Sequence, residues 1–101
     1  VLKGSITIIA APNGSCRING NPNPCLSTAG TGDILAGITV GLVGQKLEAY
    51  EAASCAVYVH SKAAQQISRS IGDGGMLASD LIMQIPKTIA SIRGAIPEDI
   101  V

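Results

Sequence analysis

The stretch from Asn19 to Gly37, NGNPNPCLSTAGTGDILAG, decides how the rest of the chain is read. Its first half is dense in Asn, Pro and Gly, and prolines at 22 and 24 cannot donate to a sheet ladder or sit in a helix interior. Residues 19–31 are therefore predicted as a structured loop, neither helix nor central strand. A loop of that length in a small domain is more often functional than incidental. The second half turns apolar at Ile34, and Leu35, Ile38 and Leu42 follow at i, i+3, i+7 spacing. This predicts a helix over about residues 33–43, with Asp33 at its first position and Gly44 as its stop. Gly37 and Gly41, four apart, would let another element approach that helix closely.

Upstream, Ser5–Ala11 (SITIIAA) is β-branched and bounded by Gly4 and by Pro12-Asn13-Gly14, which predicts a buried strand and a turn. Ser15–Asn19 alternates and is predicted as a second strand. Asn13-Gly14 favours a hairpin between the two, with Pro12 lengthening the turn beyond two residues. Downstream, a second helix is predicted over about 48–70. Ala53, Val57, His60, Ala64, Ile67 and Ile71 form its apolar stripe, with Lys62, Gln65, Gln66 and Arg69 opposite. His60 on that stripe reads as a packed, hydrogen-bonded core histidine. After a flexible Gly72–Gly75 loop, a third helix starts near Ser79-Asp80, with Asp80 as a helix-start residue. Pro86 then kinks it or begins a new turn ending at Gly94. Met76 and Met83 read as core or loop filler.

Composition excludes several classes. The 101 residues are 47% apolar and 14% charged, which describes about one small domain and not a disordered chain. Seven Lys+Arg balance seven Asp+Glu, against the basic excess of a nucleic-acid module or a polybasic membrane binder. No apolar run approaches the ~18 residues of a membrane span. Three cysteines without a C-x-x-C pair, and one histidine, argue against a metal site. Cys16, Cys25 and Cys55 instead read as small buried hydrophobes in a reducing compartment. A nucleophilic triad would have to run through His60, and nothing near it supports one. With no Phe, no Trp and two Tyr, the core must be Ile and Ala. Two strands followed only by helices leave a sheet edge and face unsatisfied. The chain is therefore expected to be the C-terminal part of an α/β body or to depend on a partner.

Gly30-Thr31-Gly32-Asp33 falls where the long loop meets a helix N-terminus. Such an end exposes unpaired N–H groups and partial positive charge, and glycines let the backbone close on a phosphate. A carboxylate beside it can orient or deprotonate an attacking hydroxyl, which suits phosphoryl transfer. Position alone fits equally a Gly-rich turn in which Asp33 is a cap worth about 1 kcal/mol. If a phosphate binds, the negative charge of Asp33 calls for a cation, and Lys3 or Mg²⁺ are the candidates.

The pattern Lys3-Gly4-Ser5-x-Thr7-x-Ile9, Gly20-Asn21-Pro22, then Leu26 to Gly37, resembles the ADP/ATP-dependent NAD(P)H-hydrate dehydratases of the ribokinase-like superfamily. The likeness continues through Glu51-Ala52-Ala53, Val57-Tyr58-Val59-His60, Leu77 to Ile82 and Ile85-Pro86, covering nearly the whole chain. It implies a three-layer α/β/α fold. Residues 1–101 would be the C-terminal part of a single domain, two strands and then three to four helices, inactive without the N-terminal part. It implies ADP- or ATP-dependent, Mg²⁺-assisted repair of NADHX and NADPHX: the added hydroxyl is phosphorylated and phosphate leaves. By resemblance Lys3, Gly4, Ser5, Ile6, Thr7 and Gly32 contact the nucleotide. Gly30, Thr31 and Gly32 form the anion hole, and Asp33 binds the hydrated substrate and acts as base. No protein metal ligand, nucleic acid or membrane is implied, and a cytoplasmic homo-oligomer is. The chain departs from the family at Ala29, Ser61 and Lys46, where glycine is usual, and at Glu48, where a Ser-type cap is common. The alternatives are a ribokinase-like kinase of a sugar or vitamin precursor, and a non-catalytic nucleotide-binding module. Sugar kinases usually carry an aromatic where Leu35 stands, and thiazole-type kinases tend to carry Cys in place of Asp33.

Overall fold

A computed structural model describes residues 1–94. The strands β1 (Thr7–Ala10) and β2 (Cys16–Asn19) form an antiparallel hairpin, registered Thr7 to Asn19 and Ala10 to Cys16. Its turn spans Pro12 to Gly14: the Gly14 N–H donates to the Ala11 carbonyl (3.0 Å), and Gly14 takes φ 92°. That positive φ is what the glycine supplies at the end of a three-residue hairpin loop. β1 is shorter than the predicted strand because the chain bends at residues 4–6 before it. Leu2 closes that bend, exchanging both backbone hydrogen bonds with Ile8 (2.8 and 2.9 Å).

The helices are α1 (Thr31–Gly44), α2 (Ala49–Ile71) and α3 (Ala78–Gly94). Two strands followed by three helices is consistent with the C-terminal portion of a ribokinase-like α/β fold. Several boundaries move. The structured loop predicted to be neither helix nor central strand contains a 3-10 turn, Pro24–Ser27, capped by the Asn23 side chain, which accepts from the Cys25 N–H (3.0 Å). Its length suits the single-turn pieces that this helix type forms, with proline in its first turn. α1 starts two residues early, so Asp33 is its third residue and not its first. Glu48 is the N-cap of α2 and accepts from the Tyr50 and Glu51 N–H groups. Asp80 reaches back to the Leu77 N–H (2.8 Å), as a helix-start residue does. α3 runs through Pro86, which has no N–H to give the Ile82 carbonyl one turn earlier, and both residues lie on the exposed side of the helix.

α2 is the centre of the molecule. One core joins Ile9, Leu35, Ala53, Ala56 and Val57 between β1, α1 and α2. A second joins Cys25, Ala63, Ala64, Ile67, Met76 and Leu81, bringing the loop and α3 against α2. Alanines 52, 56, 63 and 64 are wholly buried, so α2 packs closely on both sides with little side-chain bulk. Three expectations fail here. Ile71 lies beyond the packed stripe and is exposed. Gln66 faces α3, where its side chain accepts from Thr88 (2.7 Å) and Gln84 (2.9 Å) and donates to Ser91 (3.2 Å). The Cys16 and Cys55 side chains are not buried, contrary to expectation, while Gly37 and Gly41 meet open space, so the close approach they would permit is not used among the described residues. Of the cysteines, Cys25 alone is buried, while Cys16 and Cys55 are exposed thiols.

A bidentate Arg17–Glu51 pair (2.8 and 2.9 Å) ties β2 to the start of α2, with the guanidinium 4.5 Å over the Tyr50 ring. The pair holds the Glu51 carboxyl below its ordinary value and the Arg17 guanidinium above it, through their mutual hydrogen bonds. Leu2, Ile6 and Ile18 remain exposed around the hairpin. No described helix is long and apolar enough to cross a membrane.

Candidate active site

The loop before α1 is held at three points. The buried Cys25 thiol lies 3.1 Å from Ser68 Oγ at the end of α2 and donates toward the Asp73 carbonyl (3.3 Å). The Thr28 hydroxyl donates to the Met76 carbonyl (3.4 Å). Gly30 takes φ 90°, and a Cβ there would stand 3.2 Å from the Ala78 Cβ at the start of α3. Glycine is required at this position twice over, by backbone conformation and by space.

The loop therefore delivers a helix N-terminus in a set orientation. The Ile34 N–H donates to the Gly30 carbonyl (3.2 Å), and the Thr31 N–H donates weakly to Thr28 (3.4 Å). The N–H groups of Gly30, Gly32 and Asp33 have no acceptor among the described residues. These three residues are exposed, whereas Thr31 is buried with its hydroxyl turned inward. That hydroxyl lies 2.9 Å from both the Leu26 and Thr28 carbonyl oxygens. Thus Gly30 and Gly32 offer free amides at the positive end of the helix, with Asp33 projecting from the same turn.

Lys3 comes to this turn from twenty-eight residues earlier in the sequence. Its Nζ donates to Thr31 Oγ1 (3.0 Å) and to the Leu26 carbonyl (3.2 Å). It also lines a cleft of about 570 Å³ together with Gly4, Ser5 and Thr7. Ile6, from the same segment, is 53% exposed and does not line the cleft. Gly30, Gly32 and Asp33 stand outside it, and the Lys3–Thr31 bond is the link between the two places. Asn19, Asn21 and Asn23 add carboxamides to the cleft wall, and Pro22, Pro24 and Leu26 add apolar surface.

α2 supplies a third side through Val57, His60 and Ser61, which the sequence had not marked as cleft residues. The usable signal was a lone histidine in an otherwise apolar stripe, with Ser61 next to it and one turn after Val57. His60 is the expected core histidine: it is 3% exposed, and its Nε2 lies 2.8 Å from the Thr31 carbonyl. A carbonyl only accepts, so Nε2 carries the proton. Burial pushes the His60 pKa below its ordinary value, with the Thr31 bond opposing and the Lys3 charge assisting. The ring is therefore neutral at pH 7.

Comparison with known proteins gives one family. A family model described as NAD(P)H-hydrate dehydratase matches residues 1–87. The chain is 40% identical over 93 residues to a bifunctional NAD(P)H-hydrate repair enzyme Nnr of Moorella thermoacetica, covering 92% of the chain and 18% of that protein. It is 34% identical over 86 residues to an ADP-dependent (S)-NAD(P)H-hydrate dehydratase of Xanthomonas campestris, covering 85% and 30%. With the repair enzyme Nnr of Escherichia coli it shares 37% identity over 89 residues, covering 88% and 17%. The chain thus spans less than a third of the length of these relatives. No solved structure matches it.

Proposed function

The chain belongs to the NAD(P)H-hydrate dehydratase family, and from that membership we propose that the protein carrying it dehydrates (S)-NADHX and NADPHX at the expense of ADP or ATP. We place the chain as the C-terminal part of one ribokinase-like domain. The observation that carries the reading is the exposed first turn of α1, with free Gly30 and Gly32 amides and the Asp33 carboxylate, tied by Lys3 to a polar cleft.

In this reading Lys3, Gly4, Ser5 and Thr7 hold the nucleotide along the cleft, with Ile6 at its margin. Asp33 takes the proton of the substrate hydroxyl. The hydroxyl oxygen bonds to the terminal phosphorus as the bond to the leaving nucleotide breaks. The Gly30 and Gly32 amides, with Thr31 between them, hold the charge on the transferred group, each donor being worth on the order of 3 kcal/mol. The carbon–oxygen bond then breaks and phosphate leaves with both electrons. Loss of a ring proton restores the dihydropyridine. Phosphorylation helps because phosphate is a far better leaving group than hydroxide. The name of the Xanthomonas relative favours ADP as the phosphoryl donor.

No group of three or more His, Cys, Asp or Glu side chains that could hold a metal occurs among the described residues. Mg²⁺ fits here as the counter-ion of the nucleotide, held mainly by phosphate oxygens and water, where it would neutralise charge on the phosphates. The reading also places the protein in the cytoplasm as a homo-oligomer, with the exposed Leu2, Ile6 and Ile18 marking hairpin surface that the rest of the domain would cover. The test is to supply NADHX with ADP or ATP and follow the absorbance of reduced nicotinamide. A rise that needs nucleotide is expected, and no turnover with either nucleotide would reject the reading.

A further inference from the structure

We propose that His60 is a positioning residue that aims and strengthens the Gly32 amide through the Thr31 carbonyl. This rests on the proposed function only where turnover is measured.

Two facts single out His60. It is a polar ring buried among alanines in the middle of α2, where an unpaired polar group would be costly. Its hydrogen bond leaves its own helix and goes to a backbone atom in the first turn of α1, at 2.8 Å.

The choice of that atom matters. The Thr31 carbonyl and the Gly32 N–H belong to one planar trans peptide, so they point in opposite directions. A hydrogen bond that fixes the carbonyl therefore fixes the direction of the Gly32 N–H. The Thr31 carbonyl opens the hydrogen-bond ladder of α1 and His60 gives it a second donor from α2, while the Gly32 N–H of the same peptide has no partner among the described residues. Donation to the carbonyl also polarises the peptide and makes its N–H a stronger donor.

Lys3 and the Thr31 hydroxyl hold the same residue from the side, but they do not touch the carbonyl. His60 is the side chain that grips the peptide itself. Its second nitrogen, Nδ1, has no hydrogen-bond partner and is not sealed off, because no fully buried side-chain N or O atom among the described residues lacks a partner. The ring thus stands at the cleft wall as a neutral donor inward and an acceptor on its other nitrogen.

The variants His60→Gln, His60→Asn and His60→Leu separate this role from packing. The Gln amide nitrogen can reach the place of Nε2, and the Asn amide falls short of it. Turnover would be measured with ADP and NADHX, alongside ¹⁵N and ¹H shifts of the Gly32 amide and the ¹⁵N shifts of the His60 ring. Gln should stay within about threefold of the parent kcat. Asn and Leu should lose about tenfold to a hundredfold, with the KM for ADP changed less than about twofold. The Gly32 amide shift should move in Asn and Leu and stay in Gln.

Parent-like kcat and an unmoved Gly32 amide in a folded Asn or Leu variant would overturn the proposal. So would a folded Gln variant as impaired as Leu. In the parent protein, a His60 ring protonated on Nδ1 and not on Nε2 would overturn it with no variant needed. If the parent does not turn over NADHX, the functional reading fails, and the ring and amide shifts still decide the role of His60.

Discussion

Lys3 and Thr31 are joined by a 3.0 Å hydrogen bond across twenty-eight positions of sequence. The ammonium of Lys3 lies in a cleft wall, and the hydroxyl of Thr31 is buried under the first turn of α1. This bond connects the segment before β1 to the helix end that bears Asp33. Replacing Lys3 by Met removes the charge and leaves the Thr31 hydroxyl its two carbonyl partners. ADP affinity, read by calorimetry, should fall on the order of tenfold, the loss of one charge-assisted hydrogen bond. Unchanged affinity would remove Lys3 from the nucleotide site.

Asp33 is exposed, and no side-chain hydrogen bond holds it among the described residues. Asp33→Asn should therefore fold normally, with a loss of a few tenths of a kcal/mol from the helix end. Turnover should fall by about 10²- to 10⁴-fold with ADP binding retained. Near-parent turnover would show that Asp33 is not the base.

Two backbone positions should respond in opposite directions. Gly30→Ala forces a Cβ into the left-handed region and to 3.2 Å from Ala78, at a cost of about 1–2 kcal/mol. Lys46 already sits at φ 71°, just past the end of α1. Lys46→Gly relieves that strain and should gain up to about 1 kcal/mol. Melting temperatures of the two variants check both; a neutral or stabilised Gly30→Ala would contradict the described turn.

His60 sets a pH dependence. Its pKa is lower folded than the 6.5 of the free group, because burial disfavours the charged ring. Between those two values the unfolded chain binds the extra proton, so stability rises with pH. The contribution is complete above about pH 6.5 and is lost as the pH falls toward the folded value. The difference in melting temperature between the parent and His60→Gln should change through this window and be level above it. A difference that stays flat from pH 7 to pH 5 would show that the ring is not held neutral.

Element types were legible in the chain because they follow from local patterns. The β-branched run before Asn13-Gly14 and the 3.6-residue stripes of α1 and α2 needed no tertiary information. The boundaries were less so. Helix ends depend on which backbone groups find partners, and Gly30 opens α1 early because Ala78 and the Thr28 anchor fix the loop beneath it. Cys16 and Cys55 were misplaced because a cysteine's burial depends on what packs over it, which spacing does not record.

By itself the sequence determined the order of elements, the Gly-x-Gly-Asp turn at a helix start, and the family to which they belong. Tertiary structure alone decided which amides of that turn are free, that Thr31 faces inward, and that Lys3 and His60 meet at it from two different elements. The physical reason is range. Helix periodicity and turn chemistry act over a few residues, whereas these contacts close separations of twenty-eight and twenty-nine residues and exist only once the segment before β1 and α2 have both come against α1.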